Sequence, residues 1–412
     1  ITSSSSHCNC WRCRGTMRYM HTSGLKGLVV MLTVCSHRIQ AFQSARGALI
    51  RRALQTSTGG GRALSSARHV PRGATTVMMS TSSSSDDSSS VKGARTSVAV
   101  VGSGAVGGYY GTRLWEAGHD VKFHMRGEHY EQSKANGLNV TSVDGDMFIP
   151  PEELQVFQDT AEMGTVDWVV VALKSSSLEA IPDLIYPLLR PNTRVLNIMN
   201  GLIEEDLLAS LAEKDGKQKD DADLSCCAAI YGGMALVCSN RVGPGHIDHS
   251  YAGLLSGGVA AAAETNPEAD RKAFEDLWQP AKVDIAYEPS LLRGRWKKNV
   301  WNLPFNGISV AMGGITIDTV VTDPGLRQLA YIVMDETIAI ANEDLRQNGY
   351  DESWYLGEPE KKIMMDLSDA MGPYKTSTML DLVERRPMEV QFLFRKPLER
   401  AEKLGVKAPH LE

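Results

Sequence analysis

From position 96 to 102 the chain reads TSVAVVG, a β-branched apolar run closed by glycine. An unbroken run of this length suits a strand buried on both faces, and the glycine opens a turn. The stretch 105–117 follows as a helix that Gly118 stops, and 120–125 reads as a second strand. Further strands are predicted at 167–173 (DWVVVAL) and 194–200 (RVLNIMN), with helical stretches at 177–189 and 204–211. Strand and helix alternating at this spacing predict a doubly wound parallel sheet. The run 214–223 (KDGKQKDDAD) is a solvated loop. Beyond about 289 the pattern changes to long helical stretches at 291–312, 324–348 and 387–404. The body thus divides into an α/β domain over 96–288 and a mostly α-helical one over 289–412.

Charge separates a leader from this body. Of the net −6 over 412 residues, the part up to Ser97 carries +11 and the remainder −17. No acid precedes Asp86, and Ser, Thr, Arg and Gly crowd the segment. A stretch this poor in large apolar residues cannot bury enough surface to offset its ordering entropy, so 1–95 is expected to be a disordered targeting leader. The chain opens on Ile, which makes Met17 or Met20 the expected start. Lys26 precedes a short apolar run at 27–35, and an Arg/Ser-rich stretch follows to about 90. A signal followed by a transit-like segment is the two-stage address of a plastid enclosed by extra membranes, with mitochondrion or cytoplasm as the alternatives. The acidic body argues against nucleic acid, and no apolar run approaches the ~20 residues of a membrane span. Only Cys226, Cys227 and Cys238 lie in the body, which is reduced-compartment usage rather than a disulfide scaffold.

Candidate chemistry begins at the first turn. Gly102-Ser103-Gly104-Ala105-Val106-Gly107 is GxGxxG between a strand and a helix. The first glycine permits the turn, the second lets backbone approach a pyrophosphate, and the third allows the helix close to the strand. The helix N-terminus offers amides and dipole to the phosphates, so a Rossmann-type domain binding a dinucleotide is expected. The second strand ends in Phe123-His124-Met125-Arg126-Gly127, without the acid that would hold a ribose 2′-hydroxyl. An arginine there suits the 2′-phosphate of NADP.

In the helical part, Lys298, Asn302 and Asn306 recur at intervals of four and share one helical face. Lys297 lies about 100° away and is expected to be solvated. Leu303, Pro304 and Phe305 make the surroundings apolar, so this polar stripe needs a partner or a substrate. Pro304 is expected to kink or loosen the turn.

Together with Leu173-Lys174, Asn200-Gly201-Leu202-Ile203-Glu204-Glu205 and the stretch from Tyr374-Lys375-Thr376-Ser377 through Arg386-Pro387-Met388-Glu389, these motifs resemble ketopantoate reductase (2-dehydropantoate 2-reductase) from about Ser97 onward. The resemblance implies NADPH as cofactor and a small 2-oxo acid as substrate, and it allows a homodimer. It implies Lys298 as general acid and substrate contact, and Asn302 and Asn306 as holders of the substrate's polar groups. Asn200 and Glu389 would sit where cofactor and substrate meet, Lys174 would line the cofactor site, and Ser377 would lie near the substrate carboxylate. The chemistry agrees: a ketone reduced at carbon leaves an alkoxide, and a positioned ammonium both protonates and stabilises it. Glu389 nearby would help keep that lysine charged.

Three departures from the family pattern stand out: Thr378 intervenes before Met379, Arg395 replaces a glycine, and the chain ends at Glu412 where relatives continue into a final helix. The rival enzyme is a β-hydroxyacid dehydrogenase or a reductase of another small 2-oxo acid; the rival from another class is a non-catalytic NADP-binding sensor. No metal is expected, since His246 and His249 flank Asp248 without a cysteine partner. Cys226 and Cys227 are expected as core residues on opposite strand faces, and Trp296 and Trp301 as packing at the domain junction.

Overall fold

The computed structural model describes residues 95–216 and 224–412. Apart from Arg95, the predicted leader lies outside the described residues, as does 217–223 of the charged loop. The strands are β1 (Ser97–Val101), β2 (Asp120–His124), β3 (Leu138–Ser142), β4 (Met147–Ile149) and β5 (Gln155–Phe157). They continue with β6 (Trp168–Val171), β7 (Arg194–Asn197), β8 (Ala229–Gly243), β9 (His246–Ala262) and β10 (Ile285–Tyr287). All join one sheet in the order β4-β3-β9-β8-β7-β6-β1-β2-β5, with β10 on β9.

The run from β5 through β8 is parallel, as the alternating pattern predicts. The sheet as a whole is mixed rather than parallel, because β8–β9 and β3–β4 are antiparallel. Only Pro244 and Gly245 connect β8 to β9, and a two-residue link can join only antiparallel neighbours. Successive residues of β1 feed opposite cores. Val98 and Val100 enter one apolar cluster and Ala99 and Val101 the other, so helices cover both faces.

Six helices belong to the sheet half or its junction with the rest: α1 (Ala105–Glu116), α2 (Gly127–Asn136), α3 (Ile181–Ile185), α4 (Glu204–Lys214), α5 (Pro267–Trp278) and α6 (Leu291–Ala311). The remainder are α7 (Ile317–Thr322), α8 (Pro324–Gln347), α9 (Glu358–Met371), α10 (Ser377–Val383) and α11 (Lys396–Leu404). The fold class is therefore the expected one, a sheet half of Rossmann type followed by a mostly helical part. The helix expected over 177–189 is shorter, with 3₁₀ turns at Ser175–Ala180 and Tyr186–Leu188 on either side of α3. The helix expected over 387–404 begins only at Val390 and passes through a π-helical stretch, Gln391–Arg395, before α11. Pro387 disfavours helix at Arg386. α6 runs without a break through Pro304.

Trp296 and Trp301 are packing residues, and their partners lie inside the helical part. The Trp296 indole donates to Asp344 Oδ2 at 2.8 Å and that of Trp301 to Ser368 Oγ at 2.9 Å. Cys226 and Cys227 precede β8 in a turn instead of occupying strand faces; Cys227 is buried in the core and Cys226 partly so. Among the described residues no helix is long and apolar enough to cross a membrane.

Candidate active site

The glycine turn is shaped by close approach at two glycines and by open space at one. Gly102 has φ +94°, and a Cβ there would fall 2.8 Å from Leu173 N. A Cβ on Gly107 would come within 2.3 Å of Gly102 O and 2.9 Å of Ala172 Cβ, so the helix can lie this near the strands only without a side chain. Gly104 differs: a Cβ would meet nothing within 4 Å. Gly104 also caps α1 with no side chain bonded to the first amides. Free N–H groups facing open space at a helix N-terminus fit a dinucleotide's pyrophosphate.

The ends of β1 and β2 are joined where Ser103 N donates to His124 O at 3.3 Å. Arg126, two residues on, is exposed beside this junction and makes no ion pair among the described residues. His129, which the sequence did not single out, braces the turn from below. Its Nδ1 accepts from Gly245 N at 2.9 Å, which leaves Nε2 to donate to Ser103 O at 2.8 Å. Burial lowers its pKa and favours this neutral form.

The turns after β6 and β7 meet α6 and the segment before the π-helical stretch at one point. Lys298 Nζ donates to Asn200 Oδ1 at 2.8 Å, and Asn200 Nδ2 lies 3.5 Å from Glu389 Oε2. Glu389 Oε1 accepts from Ser175 N at 2.7 Å and Ser175 Oγ at 2.9 Å. Ser175 is a second residue that sequence reasoning missed, although it directly follows the motif lysine Lys174. The approach of the π-helical stretch is close: a Cβ on Gly201 would fall 2.5 Å from Phe392 O. Lys298 is partly buried and keeps some surface open. Desolvation, with the Arg295 charge adding to it and Glu389 opposing both, brings its pKa down to about 7.

The remaining predicted residues surround this chain at different depths. Asn302 is buried, and its side-chain amide makes no hydrogen bond among the described residues. Asn306 is tied on both ends of its amide. Its Nδ2 donates to Asn302 O at 3.1 Å and its Oδ1 accepts from Thr378 N at 3.2 Å. That second bond seats the first turn of α10, where Ser377 is exposed and Thr376 supplies the cap. Lys174 is ion-paired with Asp381 of α10, which Arg386 also contacts at 3.1 Å.

Lys297 overturns its expectation. It is 6% exposed, and its charge acts on the half-buried Glu288, whose pKa desolvation nevertheless raises. On a helix packed against both the sheet and the helical core, the side away from Lys298 faces protein rather than water. In the sheet, His249 Nδ1 is 2.8 Å from Ser142 Oγ, its ring lies 4.1 Å from that of Tyr109 at a tilt of 34°, and Asp248 accepts from Thr141.

Glycine turn, polar chain and helical wall converge at the carboxyl ends of the parallel strands, where doubly wound sheets bind nucleotides. Fold and site together define a pyridine-nucleotide-dependent oxidoreductase. The family model described as Ketopantoate reductase PanE/ApbA matches 98–261, and that of its C terminal matches 290–412. A 2-dehydropantoate 2-reductase of Nostoc sp. is 35% identical over 315 residues, covering 76% of this chain and 91% of that relative. The crystal structure of 2-dehydropantoate 2-reductase from Geobacter metallireducens superposes with a TM-score of 0.66 at 32% identity, covering 76% of this chain and 96% of that one. A D-mandelate dehydrogenase, solved with NADH and anilino(oxo)acetate, shares the fold with a TM-score of 0.62 at 18% identity, over 76% of this chain and 94% of its own. The chain belongs to the ketopantoate reductase family.

Proposed function

We propose that the protein reduces 2-dehydropantoate (ketopantoate) to pantoate with NADPH, on the route to pantothenate and coenzyme A. The observation that carries this reading is the partly buried chain Lys298–Asn200–Glu389 beside a glycine turn with free amides. When bound, NADPH supplies the hydrogen and electron pair that reach the ketone carbon. The amides from Gly104 to Gly107 hold the pyrophosphate, with Ser103, Ala105 and Val106 forming the turn around it. Arg126, exposed and unpaired among the described residues, takes the 2′-phosphate. Lys174 lines the cofactor side of the site.

Lys298 donates its proton to the alkoxide that forms at the former ketone carbon, and its charge stabilises that oxygen beforehand. A pKa of about 7 matches this work, because an acid is most effective near the operating pH. Asn200 accepts from the ammonium and so fixes its direction, while Glu389 holds Asn200 and opposes loss of the charge. The open amide of Asn302 and the exposed hydroxyl of Ser377 receive the substrate's polar groups. Asn306 sets the spacing between these two through its bonds to Asn302 and Thr378.

A panel of small 2-oxo acids, each assayed with NADPH and NADH by loss of nicotinamide absorbance, tests the assignment. Ketopantoate with NADPH should give the highest kcat/KM. An aromatic 2-oxo acid in first place would overturn the substrate, and NADH in first place the cofactor. We assign the leader 1–95 as a plastid address; fused to a fluorescent protein it should label plastids, and a cytosolic signal overturns this.

A further inference from the structure

We propose that Arg295 is a positioning residue, whose guanidinium clamps the turn carrying Asn200 against the helix carrying Lys298 and sets a fixed positive charge beside that ammonium. The inference deepens the proposed function and rests on Lys298 being the proton donor. Arg295 is only 3% exposed, yet it is not a lone buried charge. Its Nε donates to Glu204 Oε1 at 3.0 Å and its Nη2 reaches the same oxygen, so Glu204, in the first turn of α4, neutralises it. Its Nη1 donates to Met199 O at 2.7 Å, and its Nη2 to Asn197 O at 3.3 Å.

Those carbonyls are the last of β7 and the one immediately before Asn200. Asn200 in turn accepts from Lys298 at 2.8 Å, and Lys298 lies three residues beyond Arg295 on one face of α6. The result is a closed ring of Arg295, the Met199 carbonyl, Asn200, Lys298 and the helix between. A planar guanidinium offers five donors in fixed directions and here reaches a third carbonyl as well, that of Gly233 at 3.1 Å, whereas an ammonium has three donors on a single nitrogen. Arg295 also opposes protonation of Lys298, second only to desolvation. Glu204 is ion-paired with the guanidinium and tempers its charge, yet that charge still acts on Lys298 to lower its pKa.

The test is titration of Lys298 by two independent readouts in the full chain. One is the rate of acetylation of Lys298 by acetic anhydride against pH, read by mass spectrometry; the other is the pH profile of kcat with ketopantoate and NADPH. Arg295→Met should move both midpoints upward by about one pH unit and lower kcat about tenfold, with KM for NADPH within about twofold. Arg295→Lys should restore the midpoint while leaving kcat low, because it returns the charge without the fork. Arg295→Met strands the Glu204 carboxylate, so Glu204→Gln/Arg295→Met is measured beside it as the variant that leaves no buried unpaired charge. Midpoints that stay in place in this double variant, as folded protein, overturn the inference. Normal turnover by Lys298→Ala, with the acetylation midpoint still shifted by Arg295→Met, overturns instead the role of Lys298 as donor and leaves the charge coupling standing.

Discussion

The cofactor turn occupies six consecutive positions, 102–107, and its geometry comes from backbone and missing side chains. The Lys298–Asn200–Glu389 chain joins residues 98 and 189 positions apart, and its geometry comes entirely from side chains. The first can be written in a local motif because a glycine's permissive φ and lack of a Cβ act where the residue stands. The second needs the sheet and helices to be assembled before its members meet, and each member reads locally as an ordinary polar residue. A substitution at the crowded glycines of the turn, Gly102 or Gly107, therefore disturbs fold and binding together, whereas one in the chain can remove chemistry from an otherwise intact protein.

Lys298→Ala tests that separation with the largest expected effect. Turnover should fall by about 10²–10⁴-fold, with NADPH affinity changed by less than about twofold, since the amides proposed to meet the phosphates are at the start of α1. In the parent enzyme, kcat should decline as pH rises through about 7, because the acid loses its proton above its depressed pKa. Steady-state kinetics across pH 5.5–9 reads both. A Lys298→Ala enzyme that loses cofactor affinity in proportion to turnover would merge the two regions into one.

Arg126→Ala comes next. Loss of a charge-assisted bond to a 2′-phosphate contributes about 1.5–3 kcal/mol, or roughly 10–100-fold in NADPH affinity. NADH affinity should not move. Isothermal titration with both cofactors separates the cases, and equal losses would show that Arg126 does not read the 2′-phosphate.

The same contrast explains what could be read from the chain alone. β1, α1, β2 and α6 have strong local patterns, and each ends within one residue of its predicted limits. The β8–β9 hairpin has no such pattern, because both of its strands are rich in glycine, alanine and serine. Those small residues are there for packing: Cβ atoms on Gly232 and Gly258 would strike Glu204 Oε1 at 2.6 Å and Glu288 O at 2.2 Å. Tertiary crowding thus erased the alternation that marks a strand. In the site, the family motifs brought Lys298, Asn200 and Glu389 into view, but not Ser175 or Arg295. Arg295 sits in RGRWKK, which resembles a solvated basic run; only the spacing of three from Lys298 hints at a shared face. Lys297 was misjudged for the same reason, since a helix wheel cannot show that both sides of a helix are covered.

Within the turn itself, Gly104→Ala and Gly107→Ala should part company. At Gly104 the new methyl meets nothing within 4 Å and φ is −76°, so the melting temperature should stay within about 2 °C of the parent. Its methyl would project into the space assigned to the pyrophosphate, so NADPH affinity should drop about tenfold or more. At Gly107 a methyl 2.3 Å from a backbone carbonyl forces α1 off the strands, and stability should fall before binding is tested. A thermal melt with and without NADPH distinguishes them; equal destabilisation would mean that the open space at Gly104 is not a binding surface.

Lys297→Ala should have the smallest effect on turnover, and it marks the boundary of the catalytic chain most sharply. Lys297 neighbours Lys298 and is the more buried residue of the two, yet the group it acts on is Glu288 rather than Asn200 or Glu389. Its removal leaves Glu288 with Arg293 as its remaining favourable charge, in a setting where burial already raises the carboxyl pKa. The alanine also deletes a buried aliphatic stem. Loss of both should cost about 1–3 kcal/mol, a drop of several degrees in melting temperature, while kcat and both KM values remain within about twofold. Steady-state kinetics at a temperature well below the melt, alongside the melt itself, separates the two quantities. A turnover defect as deep as that of Lys298→Ala, in protein that is still folded, would show that Lys297 rather than Lys298 carries the proton and move the site about 100° around α6.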